Sequence, residues 1–330
     1  LSHPVLIVAP RSAGDVIADL VLYDVELPGT AYVPERPPSG LCLEALELAL
    51  MLDCVLKHVS TDQNCLGLRC LFLEAGAGAG GGGGKLRAVA TDGYTLAWQN
   101  LGSEGLGRGE SQGGSGLPDQ TTGQMIPLPV GTLLETALGK VKPSGPVSVS
   151  PGRFQITGKQ DVEIHYRVPE EEFPAYRNVL DCLGPPTATL TFDRTTLIAA
   201  VQRCALFADG MYKRMAIQAE GPAGPEGSTP TGPARVAFTC RRQNGESLRE
   251  ELEVRMDLPG WLPILVNASK LLRCLDSHPD QEISVCQHGS ALAPLTLPIW
   301  GQASGQASGA SQAQALSGQI ICMPLQPDSE

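Results

Sequence analysis

Few residues of this sequence have the types and spacing that catalysis or metal binding requires. The five histidines show no metal-ligand spacing, and none of the ten cysteines forms a C-x-x-C pair. No serine or cysteine lies in the glycine-flanked context of a nucleophile elbow. The sequence therefore predicts no cofactor, no metal site and no catalytic residue.

A glycine run that ends at Gly84 and Lys85 invites comparison with a phosphate-binding loop. Position 79 is Ala where that motif needs Gly, and Leu86 replaces the magnesium-binding Ser or Thr. A strand pattern, and not a helix, follows the run. We therefore interpret the glycine run as a loop without a nucleotide.

The most informative stretch is an alternating apolar strand, Leu86–Thr91, that leads into Asp92 and Gly93. Asp-Gly between two alternating segments is the strongest short-range signal for a β-hairpin. The pattern predicts two strands joined at this pair, with residues 91–96 at an exposed corner. Residues at such a corner are available to a partner.

Composition indicates a folded chain with many short strands. The chain has 330 residues, of which 42% are hydrophobic, so it is long enough for two or three domains with real cores. Its 38 glycines and 27 prolines among alternating Val, Leu and Ile segments favour strands over a helical bundle. A formal net charge of −11 argues against general adhesion to nucleic acid, so any DNA contact must be local.

The cysteines and the chain ends bear on the cellular compartment. Several cysteines lie in apolar stretches, which is typical of reduced core thiols: Cys54, Cys70, Cys204, Cys274 and Cys322. No apolar run reaches transmembrane length and no secretory signal precedes the first strand, so the expected location is cytoplasmic. The sequence begins at Leu1, which leaves a processed N-terminus and a partial record both open.

Internal similarity predicts a repeated unit. Residues 5–34 and 147–179 each predict strands followed by a proline and, four residues later, an aromatic residue. Residues 43–52 and 193–201 each predict a helix that opens a unit, and 130–138 and 267–275 predict a second helix, with Asp193 and Asn267 as caps. The unit is therefore helix, strands, helix, strands, used twice in full.

Four low-complexity segments interrupt these elements: 75–84, 102–123, 221–233 and 301–318. Because Gly, Ser, Ala and Pro cannot bury enough apolar surface, we expect flexible hairpin extensions there.

Three segments resemble one protein family. The hairpin resembles the "ATDG-x-x-LA" signature of the bacterial DNA polymerase III beta subunit, the beta sliding clamp family. Residues 173–179, FPAYRNV, resemble that family's "FPDYRRV", and residues 320–326, IICMPLQ, resemble its "YVVMPMRL". The three segments also occur in the family's order.

The resemblance implies an α+β fold of repeated DNA-clamp domains, with antiparallel sheets outside and helix pairs lining a DNA channel. Residues 1–38 would be the C-terminal remnant of clamp domain 1, 39–184 clamp domain 2 and 185–330 clamp domain 3. Family members have three such domains per subunit, so most of the first is missing from this sequence.

In the family, a hydrophobic groove between domains 2 and 3 binds short peptides of polymerases, the clamp loader and repair proteins. The resemblance carries this role to Thr91, Gly93, Tyr94, Thr95, Leu96, Pro174, Asn178, Val179, Pro294, Ile321, Cys322, Met323, Pro324 and Leu325. Apolar members of this set suit Leu or Phe anchors, and adaptable Met suits several partners. The family's usual His is Tyr94 here, and its next basic residue is Thr95. Asn178 and Gln326 each stand where the family has Arg, so partner selectivity is expected to differ.

The family's channel helices carry Lys and Arg that contact phosphates without reading bases. The corresponding candidates here are Lys57, Lys140, Lys142, Arg203, Lys213, Arg214, Lys270 and Arg273. Ring closure joins subunits head to tail as a homodimer. Its third-domain side would contain Leu206, Phe207, Glu250, Glu251 and Glu253, and the complementary surface lies mostly in the missing domain.

The implied function is that of a non-catalytic DNA sliding clamp, which encircles duplex DNA without sequence preference and tethers the replicative polymerase for processivity. A truncated, non-ring clamp relative that acts as a peptide-binding module is the first alternative. A hydrolase that uses Asp92 or His165 is the second, although the sequence shows no cluster of nucleophile, base and orienting residue.

Overall fold

The computed structural model describes residues 5–8, 41–76, 85–101, 123–141, 143–158, 161–210, 212–220, 233–300 and 316–326. Two compact units divide the chain. The first contains Leu1–Ala90 and Trp98–Phe173, and the second contains Thr91–Ala97 and Pro174–Glu330. Among the described residues, no helix is long and apolar enough to cross a membrane.

The first unit combines a helix pair with antiparallel strands. Its helices are α1 (Ala45–Val55) and α2 (Leu128–Val141), and 3-10 turns span Leu56–His58 and Leu66–Arg69. Its strands are β1 (Val5–Val8), β2 (Leu41–Leu43), β3 (Cys70–Gly76), β4 (Lys85–Thr91), β5 (Thr95–Leu101), β6 (Gly123–Pro127), β7 (Val147–Ser150), β8 (Arg153–Ile156) and β9 (Val162–Tyr166). One sheet has the order β1-β9-β8-β7-β2, and β5-β4-β3-β6 are neighbours in another. The last residue of β4 and the first three of β5 belong to the second unit.

The second unit repeats this plan. Its helices are α3 (Arg177–Asp181), α4 (Arg194–Phe207) and α5 (Ala268–Ser277). Its strands are β10 (Ala188–Asp193), β11 (Arg214–Glu220), β12 (Pro233–Arg241), β13 (Ser247–Leu258), β14 (Ile264–Asn267), β15 (Glu282–Gln287), β16 (Leu295–Trp300) and β17 (Leu316–Cys322). They lie in the order β14-β11-β12-β13-β10-β15-β16-β17.

Side-chain caps fix where the two long helices of the second unit begin. The Asp193 carboxylate accepts a hydrogen bond from the Thr196 amide at 2.8 Å. The Asn267 side chain accepts from the amides of Ser269 and Lys270 at 3.0 and 3.1 Å. Each cap satisfies helix N–H groups that have no partner within the helix, and both predicted caps are confirmed.

The cores of both units lie between helix and sheet. In the first unit, α1 places Leu48 and Met51 in the interior, and Phe154 and Ile164 face inward from neighbouring strands. In the second, core side chains come from every layer: Leu190, Phe192, Leu197, Val201, Phe238, Leu271, Ile320 and Ile321. Burial of such apolar area is the main source of stability in both units.

The observed order confirms the predicted repeat. A helix, strands, a second helix and more strands follow one another as α1, β3–β6, α2, β7–β9 and again as α4, β11–β14, α5, β15–β17. Residues 77–84, 102–122, 221–232 and 301–315 of the low-complexity segments lie outside the described residues. Three of these segments join antiparallel neighbours, as hairpin extensions would. The 102–123 segment was wrongly predicted as a hairpin extension, because β3 and β4 lie between the strands it joins, β5 and β6.

The predicted hairpin is present, but most of its corner is not exposed. β4 ends at Thr91 and β5 begins at Thr95, and Gly93 has a φ of +84°, a left-handed conformation that glycine adopts without strain. Gly93 and Tyr94 are exposed, whereas Thr91, Thr95 and Leu96 are buried. The expectation that residues 91–96 all lie at an exposed corner is therefore wrong except at the tip.

The boundary between the two units differs from the predicted domain boundary at 184/185. It falls at Phe173/Pro174 and assigns the hairpin tip to the second unit. The proposed remnant at 1–38 is described only at β1, which pairs with β9, and residues 9–40 lie outside the described part. The three-domain division therefore stays a prediction.

The cysteine side chains that the structure describes are free thiols. Those of Cys54, Cys70, Cys204, Cys274 and Cys322 are buried, as expected for core thiols, whereas Cys65 and Cys182 are exposed. Burial raises the pKa of Cys54 to about 12, which keeps that thiol protonated and unreactive.

Candidate partner-binding site

The hairpin tip is organised around the carboxylate of Asp92. Its Oδ1 accepts hydrogen bonds from the amides of Tyr94 and Thr95, at 3.0 and 2.7 Å, and from the Thr95 hydroxyl at 3.0 Å. Its Oδ2 contacts Lys270 Nζ at 2.5 Å and Arg273 Nη1 at 2.8 Å. One carboxylate therefore closes the turn with one oxygen and attaches it to α5 with the other.

These contacts hold the Asp92 carboxylate ionised. Burial by itself raises the pKa of Asp92. The hydrogen bonds from Lys270 and from the Thr95 and Tyr94 amides together lower the pKa by more than burial raises it, so the pKa lies below the usual value for Asp. A carboxylate of low pKa is a poor general base. It is well suited to anchoring the turn.

The C-terminal segment after β17 attaches to the same turn. The Met323 amide donates to the Tyr94 carbonyl at 2.9 Å, and Pro324 forms a bridge with Val266. The Leu325 amide donates to the Leu265 carbonyl at 2.7 Å. The backbone beside Tyr94 is therefore fixed from two directions, by Asp92 and by the C-terminal segment.

Charge and aromatic surface meet at this point. Lys270 Nζ lies 4.8 Å from the centre of the Tyr94 ring, within the range of a cation–π interaction. The Tyr94 side chain is 49% exposed, and Met323 is half-buried beside it. We call Asp92, Tyr94, Lys270, Arg273 and Met323 the hairpin–tail cluster.

The structure brings two of the three predicted groove segments together. The hairpin and residues 321–325 are joined by the Met323–Tyr94 hydrogen bond, and both lie in the second unit. The third segment, Pro174 with Asn178 and Val179, belongs to the same unit, and the short helix α3 begins within it. Pro294 precedes β16 in this unit and is half-buried.

Burial separates the predicted groove residues into two groups. Gly93, Tyr94 and Asn178 are exposed, and six others are half-buried: Pro174, Val179, Pro294, Met323, Pro324 and Leu325. The rest are core residues: Thr91, Thr95, Leu96, Ile321 and Cys322. Leu96 is 5% exposed, so it does not lie at an exposed corner, and its role in the groove stays a prediction.

Sequence reasoning missed the anchoring role of Asp92 and its contacts with Lys270 and Arg273. Asp92 was assigned to the turn and, in the hydrolase alternative, to catalysis. Lys270 and Arg273 were assigned to the DNA channel, and that assignment stays a prediction. Two signals were present in the sequence. Asp in a turn bonds the backbone ahead of it, and Lys270 and Arg273, three residues apart on a helix, share one face. The contact between Asp92 and Lys270, which are 178 residues apart in the sequence, could not be predicted from either signal.

Several predicted DNA-facing side chains are ion-paired. Lys57 Nζ lies 3.0 Å from Asp53, and Arg203 forms two 2.8 Å bonds to Glu250. Lys270 and Arg273 contact Asp92, as described above. Lys140 is exposed on α2, whereas Lys213 and Arg214 lie half-buried at the start of β11. Lys142 lies outside the described residues.

The predicted dimer surface lies along α4 and β13. Leu206 is 76% exposed at the end of α4, and the Phe207 ring packs under the Arg242 guanidinium at 4.3 Å. β13 pairs with β12 along Ser247–Arg255 but with β10 only from Arg255 to Leu258. Among the described strands, none pairs with the other edge of residues 247–254, which include Glu250, Glu251 and Glu253. An open strand edge is a site at which another strand can pair.

The two candidate hydrolytic residues occupy structural positions. Asp92 is engaged by its own turn and by α5. His165 Nε2 lies 3.0 Å from Glu163, whose other oxygen accepts from Arg153 at 2.6 Å. In the described part of the chain, no group of three or more His, Cys, Asp or Glu side chains is placed to hold a metal ion.

A pocket of about 520 Å³ is lined by residues of β10, β12 and β13 and by Thr196 of α4, and by none of the hairpin–tail cluster. Glu253 is the predicted site residue that lines it. The Asp193 carboxylate at its edge already caps α4, and Arg255 pairs with Asp257 and Glu282. None of the predicted groove residues lines this pocket, so the hairpin–tail cluster is the better candidate site.

Replacement of Asp92 by Asn tests the anchoring role. Asp92→Asn removes the charge that pairs with two cations, so we expect the free energy of unfolding at pH 7 to fall by about 2 kcal/mol. A carboxyl whose pKa is lowered in the folded state stabilises the fold above its ordinary pKa, and this contribution is lost as the pH falls through the folded pKa. The stability difference between parent and variant should therefore shrink in acid, as measured by urea unfolding between neutral and acidic pH.

The exposed ion pair between Asp53 and Lys57 provides the control, because Asp53→Asn should lower the free energy of unfolding by less than about 0.5 kcal/mol. Equal stability of Asp92→Asn and the parent at pH 7 would contradict the anchoring role.

No protein-family model and no curated protein sequence matches the chain. Solved structures do match. The DnaN sliding clamp (DNA polymerase III subunit beta) of Pseudomonas aeruginosa bound to griselimycin is 16% identical, with a TM-score of 0.67, and the match covers 92% of this chain and 69% of that chain. The clamp of Bartonella birtlesii bound to griselimycin is 18% identical, with a TM-score of 0.66 and coverage of 93% and 70%.

The DNA polymerase III beta subunit of Thermotoga maritima is similar to the same extent. It is 18% identical, with a TM-score of 0.64, and the match covers 92% of this chain and 71% of that chain. Identities at this level establish the fold and leave the function open. The resemblance noted in the sequence is thus confirmed at the level of structure. The chain has the α+β fold of the bacterial DNA polymerase III beta sliding clamp, over about 70% of the length of these solved clamps.

Proposed function

We propose that this chain is a DNA sliding clamp that binds peptides of its partners at the hairpin–tail cluster. The clamp fold supports the proposal in general terms, and the meeting of the hairpin with the C-terminal segment supports it in particular. Those two segments are the ones whose sequences most resemble the clamp signatures.

The hairpin–tail cluster has the features of a peptide-docking surface. Tyr94 offers an exposed aromatic face on a backbone that is fixed by Asp92 and by Met323. A rigid aromatic side chain loses little conformational entropy on binding, and a neighbouring Met adapts to different apolar side chains. Met323, Pro324 and Leu325 are half-buried and supply apolar surface for a Leu or Phe anchor.

The proposed clamp has no catalytic role. A ring that encircles duplex DNA without sequence preference would keep a bound polymerase near its template, so that a high local concentration replaces repeated encounters. The exposed Leu206 and the open edge of β13 support ring closure through a second copy. Polymerase, clamp loader and repair proteins would be the partners, in the cytoplasm.

A non-ring peptide-binding module is the second candidate, and the charges on the helices favour it. Lys57, Arg203, Lys270 and Arg273 each contact a carboxylate, which reduces the positive charge that these side chains offer to phosphates. On α1, Glu47 and Asp53 are exposed. Acidic groups on a DNA-facing surface oppose binding of the phosphate backbone.

Charged replacements at the docking surface test the peptide site. Tyr94→Asp and Met323→Asp should each weaken binding of a fluorescein-labelled clamp-motif peptide at least about tenfold, since a carboxylate cannot pack against an apolar anchor. The readout is fluorescence anisotropy, with thermal unfolding to confirm the fold. Leu46→Asp is the matched control, because Leu46 is 71% exposed on α1, a helix that contains no predicted groove residue. Parent-like peptide affinity in both variants would refute the site.

Oligomeric state separates the ring from the module. A ring predicts that the parent elutes from gel filtration at twice the mass of one chain and that Leu206→Asp elutes at the mass of one chain, because a charge replaces an exposed interface leucine. Chemical crosslinking should give a dimer band only for the parent. A parent that elutes as a single chain at all accessible concentrations would exclude dimeric ring closure and favour the module.

A further inference from the structure

Helix α1 has the composition of a buried helix. Nine of its eleven residues, Ala45–Val55, are apolar, and Glu47 and Asp53 are the two exceptions. A helix that is apolar on all sides is normally enclosed by protein. Leu46 and Leu50 are nevertheless 71% and 59% exposed. One side of α1 therefore lies open in the described part of the chain.

The two exposed leucines form one apolar strip on that side. Leu46 and Leu50 are four residues apart, so their side chains are neighbours on the helix surface. A single exposed leucine is common on protein surfaces, whereas contiguous exposed apolar side chains indicate an interaction surface. We call Leu46, Glu47, Leu50 and Asp53 the α1 face.

The α1 face is acidic around its apolar strip. Glu47 and Asp53 lie three residues before and after Leu50, so each adjoins that leucine, and both are exposed. Lys57 pairs with Asp53 at 3.0 Å. Glu135 of α2 lies close to this pair, and burial together with the Asp53 carboxylate raises the pKa of Glu135. The surface around Leu50 thus carries three carboxylates and one ammonium group.

The charge of the α1 face determines which partners it attracts. Duplex DNA and an anionic membrane both present phosphates, which the carboxylates repel. A second copy of this chain would bring the same acidic face against itself in a two-fold contact, so like charges would meet there too. A cationic partner is attracted by the same carboxylates.

The backbone of α1 favours a helix as the bound element. An extended peptide gains affinity from backbone hydrogen bonds, but the N–H and C=O groups in the interior of a helix are already paired. A partner helix binds instead through side chains spaced by three or four residues. That is the spacing of Leu46 and Leu50, so the two apolar strips can pack against each other.

We propose that the α1 face binds a basic amphipathic helix of a partner protein, whose apolar side packs on Leu46 and Leu50 and whose Lys or Arg side chains pair with Glu47 and Asp53. The α1 face shares no residue with the hairpin–tail cluster, so the inference does not rest on peptide binding there. The clamp resemblance assigns the helix pairs to a DNA channel, so the test also includes duplex DNA.

Two helical peptides provide the test. Both carry an N-terminal fluorescein and a C-terminal amide. The basic peptide is Ala-Lys-Leu-Ala-Lys-Lys-Leu-Ala-Lys-Leu-Ala-Lys-Lys-Leu, and the acidic peptide has Glu in place of every Lys. Because both present the same leucines, they compare charge alone. Anisotropy titrations of the full chain should show that the basic peptide binds at least about tenfold more tightly.

A double variant assigns this binding to the α1 face. Leu46→Ala/Leu50→Ala removes the apolar strip without a change of charge and keeps a good helix former at both positions, so the fold should persist in thermal unfolding. The affinity for the basic peptide should fall at least about tenfold, because two apolar contacts are lost. Leu292→Ala is the matched control, since Leu292 is 58% exposed outside α1, and its affinity should equal that of the parent.

A charge variant separates a local ion pair from general attraction to a chain of net charge −11. Glu47→Gln should weaken binding of the basic peptide about threefold, the effect of one exposed ion pair. Glu171→Gln removes the same charge from an exposed residue that follows β9. The affinity of this control should equal that of the parent.

Several results would overturn the inference. Equal binding of the two peptides by the parent would remove the preference for a basic partner. Parent-like affinity of the double leucine variant would exclude α1 as the site, and binding of neither peptide would exclude this class of partner. Binding of a fluorescein-labelled DNA duplex that the double leucine variant weakens would assign the α1 face to DNA instead.

Discussion

The arrangement of the candidate site depends on one ionised carboxylate. The three-residue turn would by itself leave Tyr94 on a mobile loop tip, because short hairpins have little intrinsic stability in water. Asp92 removes that freedom by binding the amides ahead of it and two cations on α5. Since the C-terminal segment then bonds to the Tyr94 carbonyl, the same carboxylate indirectly fixes the position of Met323.

The rest of the second unit serves to present the cations to that carboxylate. Asn267 caps α5 and fixes where the helix begins. The three-residue spacing places Lys270 and Arg273 on one face of it. Leu271 and Cys274, which follow these two residues in the sequence, are buried in the core. The site is therefore carried by a capped, packed helix and by paired strands, which hold side chains more firmly than loops do.

Much of the fold could be predicted from local patterns, because helices, caps and hairpins depend on residues close in sequence. The helix starts at Asp193 and Asn267 and the turn at Asp92-Gly93 are examples. Burial could not be predicted at Leu96 or Ile321, because an apolar strand residue looks the same whether it faces the core or a groove. The contact of Asp92 with α5 could not be predicted either, since it joins residues that only the tertiary fold brings together. The clamp resemblance supplied the fold class, and its assignment of Lys270 and Arg273 to DNA stays a prediction.

Hydrogen exchange of individual amides tests the central claim most directly. The Thr95 amide donates to Asp92 and the Met323 amide donates to Tyr94, so neither exchanges without opening the hairpin–tail cluster. The account predicts that both amides exchange much more slowly than the same sequences do in an unstructured peptide, and that Asp92→Asn accelerates the two together. Exchange of Thr95 and Met323 at unstructured rates in the parent protein would contradict it.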